Sequence, residues 1–460
     1  MIAEISENIV IERIADQKAF FATHQTKDVA FRIAQLRKLK NAIHNYQQKI
    51  EDALWKDLHK SPQEAYLTEI SIVTNEIDFH LKHLKKWAQP KRVATPLHLL
   101  PSSSKILHEP LGVALIVAPW NYPFQLLINP LVGAISAGCC SILKPSPDTP
   151  TIAKIMEEMI TEIFDANYIT VVQGGKDTNT ILFAQHFDLI FFTGSPTVGK
   201  VVMKAAAEHL TPVVLELGGK SPCIVDADAS INIAAKRIAW GKLINAGQTC
   251  IAPDYLFVHK SIKNELLDKI AVNFKLMYGE NSKESNFYPR IVHERAINRL
   301  TKLLDKGTIL TGGEVDTKER FIAPTIIDDI QPDDPIMQEE IFGPILPVMT
   351  FTHIDEAIEY INKNEKPLAF YYFGKNQKAK EVFAKTTSGG GCINDTLMHI
   401  ANHNMPFGGV GNSGMGGYHG KESFLVFSNK RTIITTPTWI DLPFKYVPFK
   451  YFKLIKRIIG

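Results

Sequence analysis

The chain reads as an α/β protein built from two doubly wound units, and three observations predict this. From Leu111 onward, short apolar strand candidates alternate with helical ones. That alternation implies a parallel sheet with helices on both faces. It breaks at Leu217-Gly218-Gly219-Lys220 and then restarts. The total of 460 residues exceeds what one hydrophobic core usually serves.

In chain order, residues 26–89 read as helices. Leu36, Leu39, Ile43, Tyr46, Ile50 and Leu54 recur at three- and four-residue steps and make one apolar face. Ile70, Ile77, Leu81 and Leu84 repeat the pattern until Pro90 stops it. Residues 90–111, rich in Pro and Ser, read as an extended arm. Residues 113–117, 141–143, 169–172 and 189–192 read as strands, and 126–137, 152–164 and 198–209 as helices. After Gly218, residues 223–225, 254–258 and 342–351 read as strands and 231–242 as a helix. There are no internal repeats or low-complexity tracts.

Composition excludes several classes. Hydrophobic content is 45% and net charge +3, close to neutral for this size. Neither feature supports a nucleic-acid partner. The start, Met1-Ile2-Ala3-Glu4, has no basic segment followed by an apolar core, so it does not read as a secretory signal. No run of about 18 uninterrupted apolar residues predicts a membrane span. Five cysteines without such a signal fit reduced thiols and a cytoplasmic location. Cys139, Cys140, Cys223 and Cys392 read as structural, and no Cys/His spacing predicts a metal site. The tail from Pro437 interleaves aromatics with Lys445, Lys450, Lys453, Lys456 and Arg457. Such a tail can rest on an anionic membrane surface or pack as a solvated end; the sequence presents no clear amphipathic helix there.

Cys250 ends Asn245-Ala246-Gly247-Gln248-Thr249-Cys250, and Glu216 lies 34 residues upstream in Leu215-Glu216-Leu217-Gly218-Gly219. A thiol nucleophile needs deprotonation in a polar, partly open setting. A carboxylate at a strand end, followed by two glycines, is able to reach it as general base. Spacing alone leaves the packing reading open, because free cysteine is among the most buried residue types. Gly194-Ser195-Pro196-Thr197-Val198-Gly199 follows one strand and opens a helix. Backbone amides at such a helix start bind pyrophosphate, although the G-x-G-x-x-G fingerprint is absent. Asn121, between Pro119 and Pro123, carries an amide suited to an oxyanion or to a simple Asx-turn. His419 reads as a structural hydrogen-bonder.

These segments resemble the aldehyde dehydrogenase superfamily. Pro119-Trp120-Asn121-Tyr122-Pro123, Phe192-Thr193-Gly194-Ser195, Leu215-Glu216-Leu217-Gly218-Gly219-Lys220, Gly247-Gln248-Thr249-Cys250 and Glu339-Glu340-Ile341-Phe342-Gly343-Pro344 occur in the family's order. The stretch 406–416 followed by Tyr418-His419-Gly420-Lys421 looks like the class 3 branch, and the likeness spans roughly residues 25–435. It implies a cofactor domain (1–97 and 112–217), a catalytic domain (218–420), a small bridging or oligomerisation sheet (98–111 and 421–440) and a tail (441–460). It also implies a dimer and NAD(P)-dependent oxidation of medium- or long-chain aliphatic, or aromatic, aldehydes to acids.

By the same resemblance Cys250 is the nucleophile, Glu216 the base that activates water, and Asn121 with the Cys250 amide the oxyanion site. Lys144, Gly194, Ser195, Gly199, Leu217, Glu340 and Phe342 would bind the cofactor, with Glu340 on the nicotinamide ribose and Phe342 against the ring. Pro147 stands where the family carries a group that contacts the adenosine ribose. A carboxylate there repels a 2′-phosphate, so its absence predicts use of both NAD and NADP. Two alternatives stay open: transfer of the acyl group to CoA instead of water, and a non-catalytic protein on the same fold.

Overall fold

The computed structural model describes residues 4–449 and 451–459. Residues 1–3, Lys450 and Gly460, which enter the readings of the N-terminus and the tail, lie outside the described residues.

Two large sheets organise the chain. The first holds six strands in the order Gly414–Met415, Val213–Leu217, Leu189–Gly194, Val113–Val117, Cys140–Lys144 and Ile169–Val171. All pairings are parallel except that of Gly414–Met415, which runs antiparallel on the edge, Gly414 opposite Glu216. Strand order reverses between Val113–Val117 and Leu189–Gly194. In open α/β sheets the crevice at the carboxyl ends of such strands is where ligands bind. The second sheet holds seven strands in the order Thr308–Thr311, Thr325–Asp328, Ile345–Phe351, Tyr255–His259, Pro222–Val225, Ala369–Phe373 and Gly390–Ile393. Lys91–Val93, Ser103–Pro110 and Ser428–Thr435 form a third, antiparallel sheet. The two-unit α/β reading with a small extra sheet therefore holds.

Helix Val29–Leu58 starts where the Asp28 side chain accepts the Ala30 N–H and ends at left-handed His59. Its buried stripe includes Leu36, Leu39, Ile43, Tyr46, Ile50 and Leu54, the residues whose spacing predicted it. Helix Gln125–Ala137 is buried along its whole length against the first sheet, so it is apolar all round rather than striped.

Several local readings change. Helix Glu7–Ala22 precedes the first one expected from the sequence. It buries only Val10, Ile14 and Gln17, too narrow a stripe to show as a period, and Gln17 is fixed by donating to the Ser141 carbonyl (2.9 Å). Residues 90–111 are not merely an extended arm: two segments pair as strands, because Ser428–Thr435 comes back to hydrogen-bond with Ser103–Pro110. The strand expected over 342–351 begins at Ile345, since Phe342 has φ 52° and Gly343-Pro344 turn the chain. In the tail, Phe452–Ile459 forms an eight-residue helix with Lys453, Lys456 and Arg457 exposed, where no amphipathic helix is evident from the sequence. No helix among the described residues is long and apolar enough to cross a membrane.

Candidate active site

Cys250 sits half-buried where two cavities meet. The smaller, about 190 Å³, lies toward the first sheet and is lined by Asn121, Gly194, Ser195, Glu216, Leu217, Glu340 and Phe342 together with Cys250. The larger, about 590 Å³, leads away between helices and loops and is mostly apolar, with Leu126, Trp240, Ile251, Met277, Phe287 and Ile400 in its wall. The fold thus brings eight of the ten sequence-selected residues to one cavity. Lys144 and Gly199 are outside it. A methyl at Gly199 would stand 2.7 Å from Leu217 Cδ2, so this glycine lets helix Pro196–Ala207 close on strand Val213–Leu217. Lys144 is buried at the carboxyl end of Cys140–Lys144, and its Nζ donates to the Pro145 carbonyl (2.8 Å). Burial lowers its pKa to about 8, against the pull of Glu4 and Asp148.

The loop before Cys250 is backbone-strained. Asn245 and Ala246 hold φ 52° and 51°, a left-handed conformation that costs energy for residues with a Cβ. Gly247 follows at φ 73°, and a methyl there would meet the Gly343 carbonyl at 2.2 Å. A buried network holds this shape. Asn245 Nδ2 donates to the Asn121 and Gln248 carbonyls at 2.8 and 3.1 Å, and the Asn245 N–H donates to Glu64 Oε1 at 2.7 Å. Lys60 Nζ donates to the Asn121 carbonyl at 3.2 Å and pairs with Glu69 at 2.7 Å, both side chains fully buried. Glu69 in turn accepts the Phe124 and Gln125 N–H groups, each at 2.9 Å. Asn121 Nδ2 spends one hydrogen on the Gln248 carbonyl (3.0 Å), and an amide nitrogen carries two.

Glu216 is 3% exposed, and neither carboxylate oxygen has a hydrogen-bond partner. Burial alone raises its pKa well above the ordinary carboxylate value. A methyl at Gly408 would stand 3.1 Å from Glu216 Oε1, so the glycine-rich stretch closes directly on this carboxylate. Cys250 is also pushed up, first by burial and then by the charges of Glu340 and Glu216, with the Cys250 and Ile251 N–H groups opposing. A thiol in that setting needs a base beside it before it attacks. Glu340 is raised to about 8, chiefly by burial and then by Asp254. Its segment is clasped by Lys220, which pairs with Asp254 (2.5 Å) and donates to the Glu339 carbonyl (2.8 Å), while Asp254 accepts the Ile341 N–H (2.9 Å). Phe342 packs edge-on against Trp120.

The aldehyde dehydrogenase family model matches residues 2–433. The chain belongs to the aldehyde dehydrogenase family. It is 49% identical over 453 residues to the 4,4′-diaponeurosporen-aldehyde dehydrogenase of Staphylococcus aureus, covering 98% of this chain and 99% of that one. It is 46% identical to the dimeric NADP-preferring aldehyde dehydrogenase of Mus musculus, covering 90% and 92%. Among solved structures, a substrate-bound Staphylococcus aureus AldH superposes with a TM-score of 0.96 at 48% identity, covering 98% and 99%. This aldehyde dehydrogenase is accordingly an oxidoreductase that converts aldehydes to acids with NAD or NADP, on the class 3 side of the family.

The smaller cavity, about 190 Å³, suits one end of a dinucleotide rather than the whole of it. Thr193 Oγ1 is buried in its wall without a partner. Ser195 caps helix Pro196–Ala207 and directs its N-terminus there. A methyl at Gly218 would fall 2.1 Å from Glu340 Oε2, which leaves backbone in the cavity wall where a side chain would block it.

Sequence reasoning missed several residues. Glu64 lines the larger cavity, and burial raises it to about 7, against the pull of Lys60. Tyr122 bonds Thr249 through its hydroxyl (2.7 Å), and Tyr418 lines both cavities. Glu76 fixes the segment carrying Phe407 and Tyr418 by binding His403 Nδ1 (2.8 Å) and the Gly420 N–H (2.6 Å). Burial would raise Glu76, but the hydrogen bonds from His403 and His80 outweigh it and hold it low. His419 is buried, stacks on Phe407 and lines neither cavity.

Proposed function

We propose that this chain oxidises medium- to long-chain aliphatic or aromatic aldehydes through a covalent intermediate on Cys250. The observation that carries the reading is the placement of Cys250 where a small cavity bearing Glu216 and Asn121 opens into a larger, mostly apolar one. The Cys250 thiol gives its proton to water in the cavity, the resulting thiolate adds to the carbonyl carbon, and the second Asn121 N–H together with the Cys250 N–H holds the oxyanion. Bound NAD or NADP supplies the hydride acceptor, with Gly194, Ser195, Leu217, Glu340 and Phe342 around it and Lys144 on the adenosine side. Hydride loss leaves a thioester on Cys250. Glu216 removes a proton from water, the water oxygen attacks the thioester carbon, and acid and thiolate separate.

The apolar wall of the 590 Å³ cavity favours substrates with an extended hydrocarbon. A homodimer is supported by the word dimeric in the name of the mouse relative. The five unpaired cysteines fit a cytoplasmic setting. The exposed basic tail helix is compatible with peripheral contact to an anionic membrane. The test is reduced-dinucleotide formation against acetaldehyde through decanal, benzaldehyde and a cinnamyl aldehyde. Turnover without CoA that rises with chain length or aromaticity supports the proposal. Turnover that appears only with CoA overturns the hydrolytic step.

A further inference from the structure

Pro147 leaves the adenosine side of the cofactor cleft without the carboxylate that the family pattern would place there, yet the structure brings one in from the N-terminus. Glu4 accepts the Gly175 N–H at 3.0 Å and the Thr178 N–H at 2.9 Å, and the Thr178 hydroxyl donates to it as well. These donors open helix Lys176–Phe183, immediately after strand Ile169–Val171, which neighbours Cys140–Lys144 in the sheet. The charges of Glu4, with the larger effect, and of exposed Asp148 act on the buried Lys144 ammonium against the effect of burial.

Glu4 is not placed casually. The Ile5 N–H donates to Thr178 Oγ1 at 3.2 Å. The helix that follows is pinned to the same strands by Arg13 donating to Thr170 Oγ1 (2.8 Å) and Gln17 to the Ser141 carbonyl. A methyl at Gly175 would reach Glu4 Oε1 at 2.7 Å, so the backbone approach that seats this carboxylate depends on glycine.

We propose that Glu4 is the residue that sets this enzyme's discrimination between NAD and NADP. Its carboxylate occupies backbone and hydroxyl donors beside Lys144 that would otherwise serve a 2′-phosphate, and it presents negative charge to that group. A ribose hydroxyl carries no charge and is not repelled. The chain therefore prefers NAD despite Pro147, and removing Glu4 reverts it to the dual use that Pro147 alone predicts. The inference rests on placing the adenosine end of the cofactor at Lys144.

Calorimetric binding of NAD, NADP, 5′-AMP and 2′,5′-ADP to full-length wild type, Glu4→Gln, Glu4→Ala, Glu12→Gln and Lys144→Met tests it without turnover. The expected result is tighter NAD than NADP binding in wild type. Both Glu4 variants should tighten NADP and 2′,5′-ADP by about tenfold or more, as for removal of a close like charge, with NAD and 5′-AMP changed less than about twofold. Glu12→Gln, at an exposed acid on the helix that follows Glu4, should behave as wild type. If Lys144→Met weakens both fragments while the NADP-to-NAD ratio is the same in wild type and both Glu4 variants, the role of Glu4 is overturned. If Lys144→Met leaves both fragments bound as in wild type, the placement of the adenosine end fails instead. Melting curves confirm that each variant is folded.

Discussion

Lys60→Met would remove the cation at the centre of the network behind the active site. Lys60 and Glu69 have fully buried side chains 2.7 Å apart, so the variant leaves the Glu69 carboxylate without its counter-ion in a site closed to water. Breaking a buried pair from one side typically costs about 3–5 kcal/mol. Glu69 still accepts the Phe124 and Gln125 N–H groups, which places the expected loss at the lower end, about 3 kcal/mol. The Asn121 carbonyl also loses the Lys60 donor but keeps Asn245 Nδ2, so that atom adds little, about 0.5–1 kcal/mol. Lys60→Met/Glu69→Gln removes both charges and should recover about half of the loss, because no unpaired ion is left behind. Urea unfolding monitored by fluorescence measures this. Activity should fall further than the folded fraction, since Lys60 helps hold the backbone that carries Asn121. A single-variant cost below about 1 kcal/mol, or a double variant less stable than the single one, would refute the reasoning.

Four more outcomes follow. Asn121→Ala should lower kcat by about 10²–10³ with unchanged dinucleotide binding, as for loss of one oxyanion donor; the Gln248 carbonyl keeps its bond from Asn245, so the melting temperature should hold. Because burial, then the charges of Glu340 and Glu216, raise Cys250, its thiolate forms only as pH rises; kcat/KM should climb with pH on the alkaline side, and a flat profile contradicts the assignment. Glu216→Gln breaks no hydrogen bond. A carboxyl raised in the folded state costs stability once pH passes its unfolded value, so this variant should gain stability over wild type at about pH 8 relative to about pH 5, read by paired melting curves. Thr68→Trp, in the wall of the larger cavity, should cut kcat/KM for decanal by about tenfold or more while sparing acetaldehyde; equal losses for both would separate that cavity from the substrate.

Much of this was legible because the chemistry sits in contiguous segments. Cys250, Glu216 and Asn121 each lie at the end of an apolar strand candidate or in a Pro- or Gly-marked turn, and those marks survive in one dimension. The sheets were legible for a similar reason, since buried parallel strands read as short apolar runs. What stayed hidden depends on partners distant in sequence. Lys60 and Glu69 look like surface charges until helix packing encloses them. Glu76 shows its purpose only when residues 403 and 420 come back to it. Residues 90–111 lack a strand signature because their partner strand arrives from 428–435. Glu4 precedes a helix whose buried stripe is three residues wide, and its donors at residues 175 and 178 are distant in sequence. Gly199 follows the family pattern but packs against Leu217, a distinction that only coordinates draw.

The account turns on a covalent acyl group carried by Cys250 and released by water that Glu216 activates. The most direct measurement is intact-protein and peptide mass spectrometry of Glu216→Gln quenched after mixing with decanal and dinucleotide. The account predicts one decanoyl group on the peptide containing Cys250, accompanied by a single equivalent of reduced dinucleotide. Steady turnover with no adduct, or an adduct on any other residue, would contradict it.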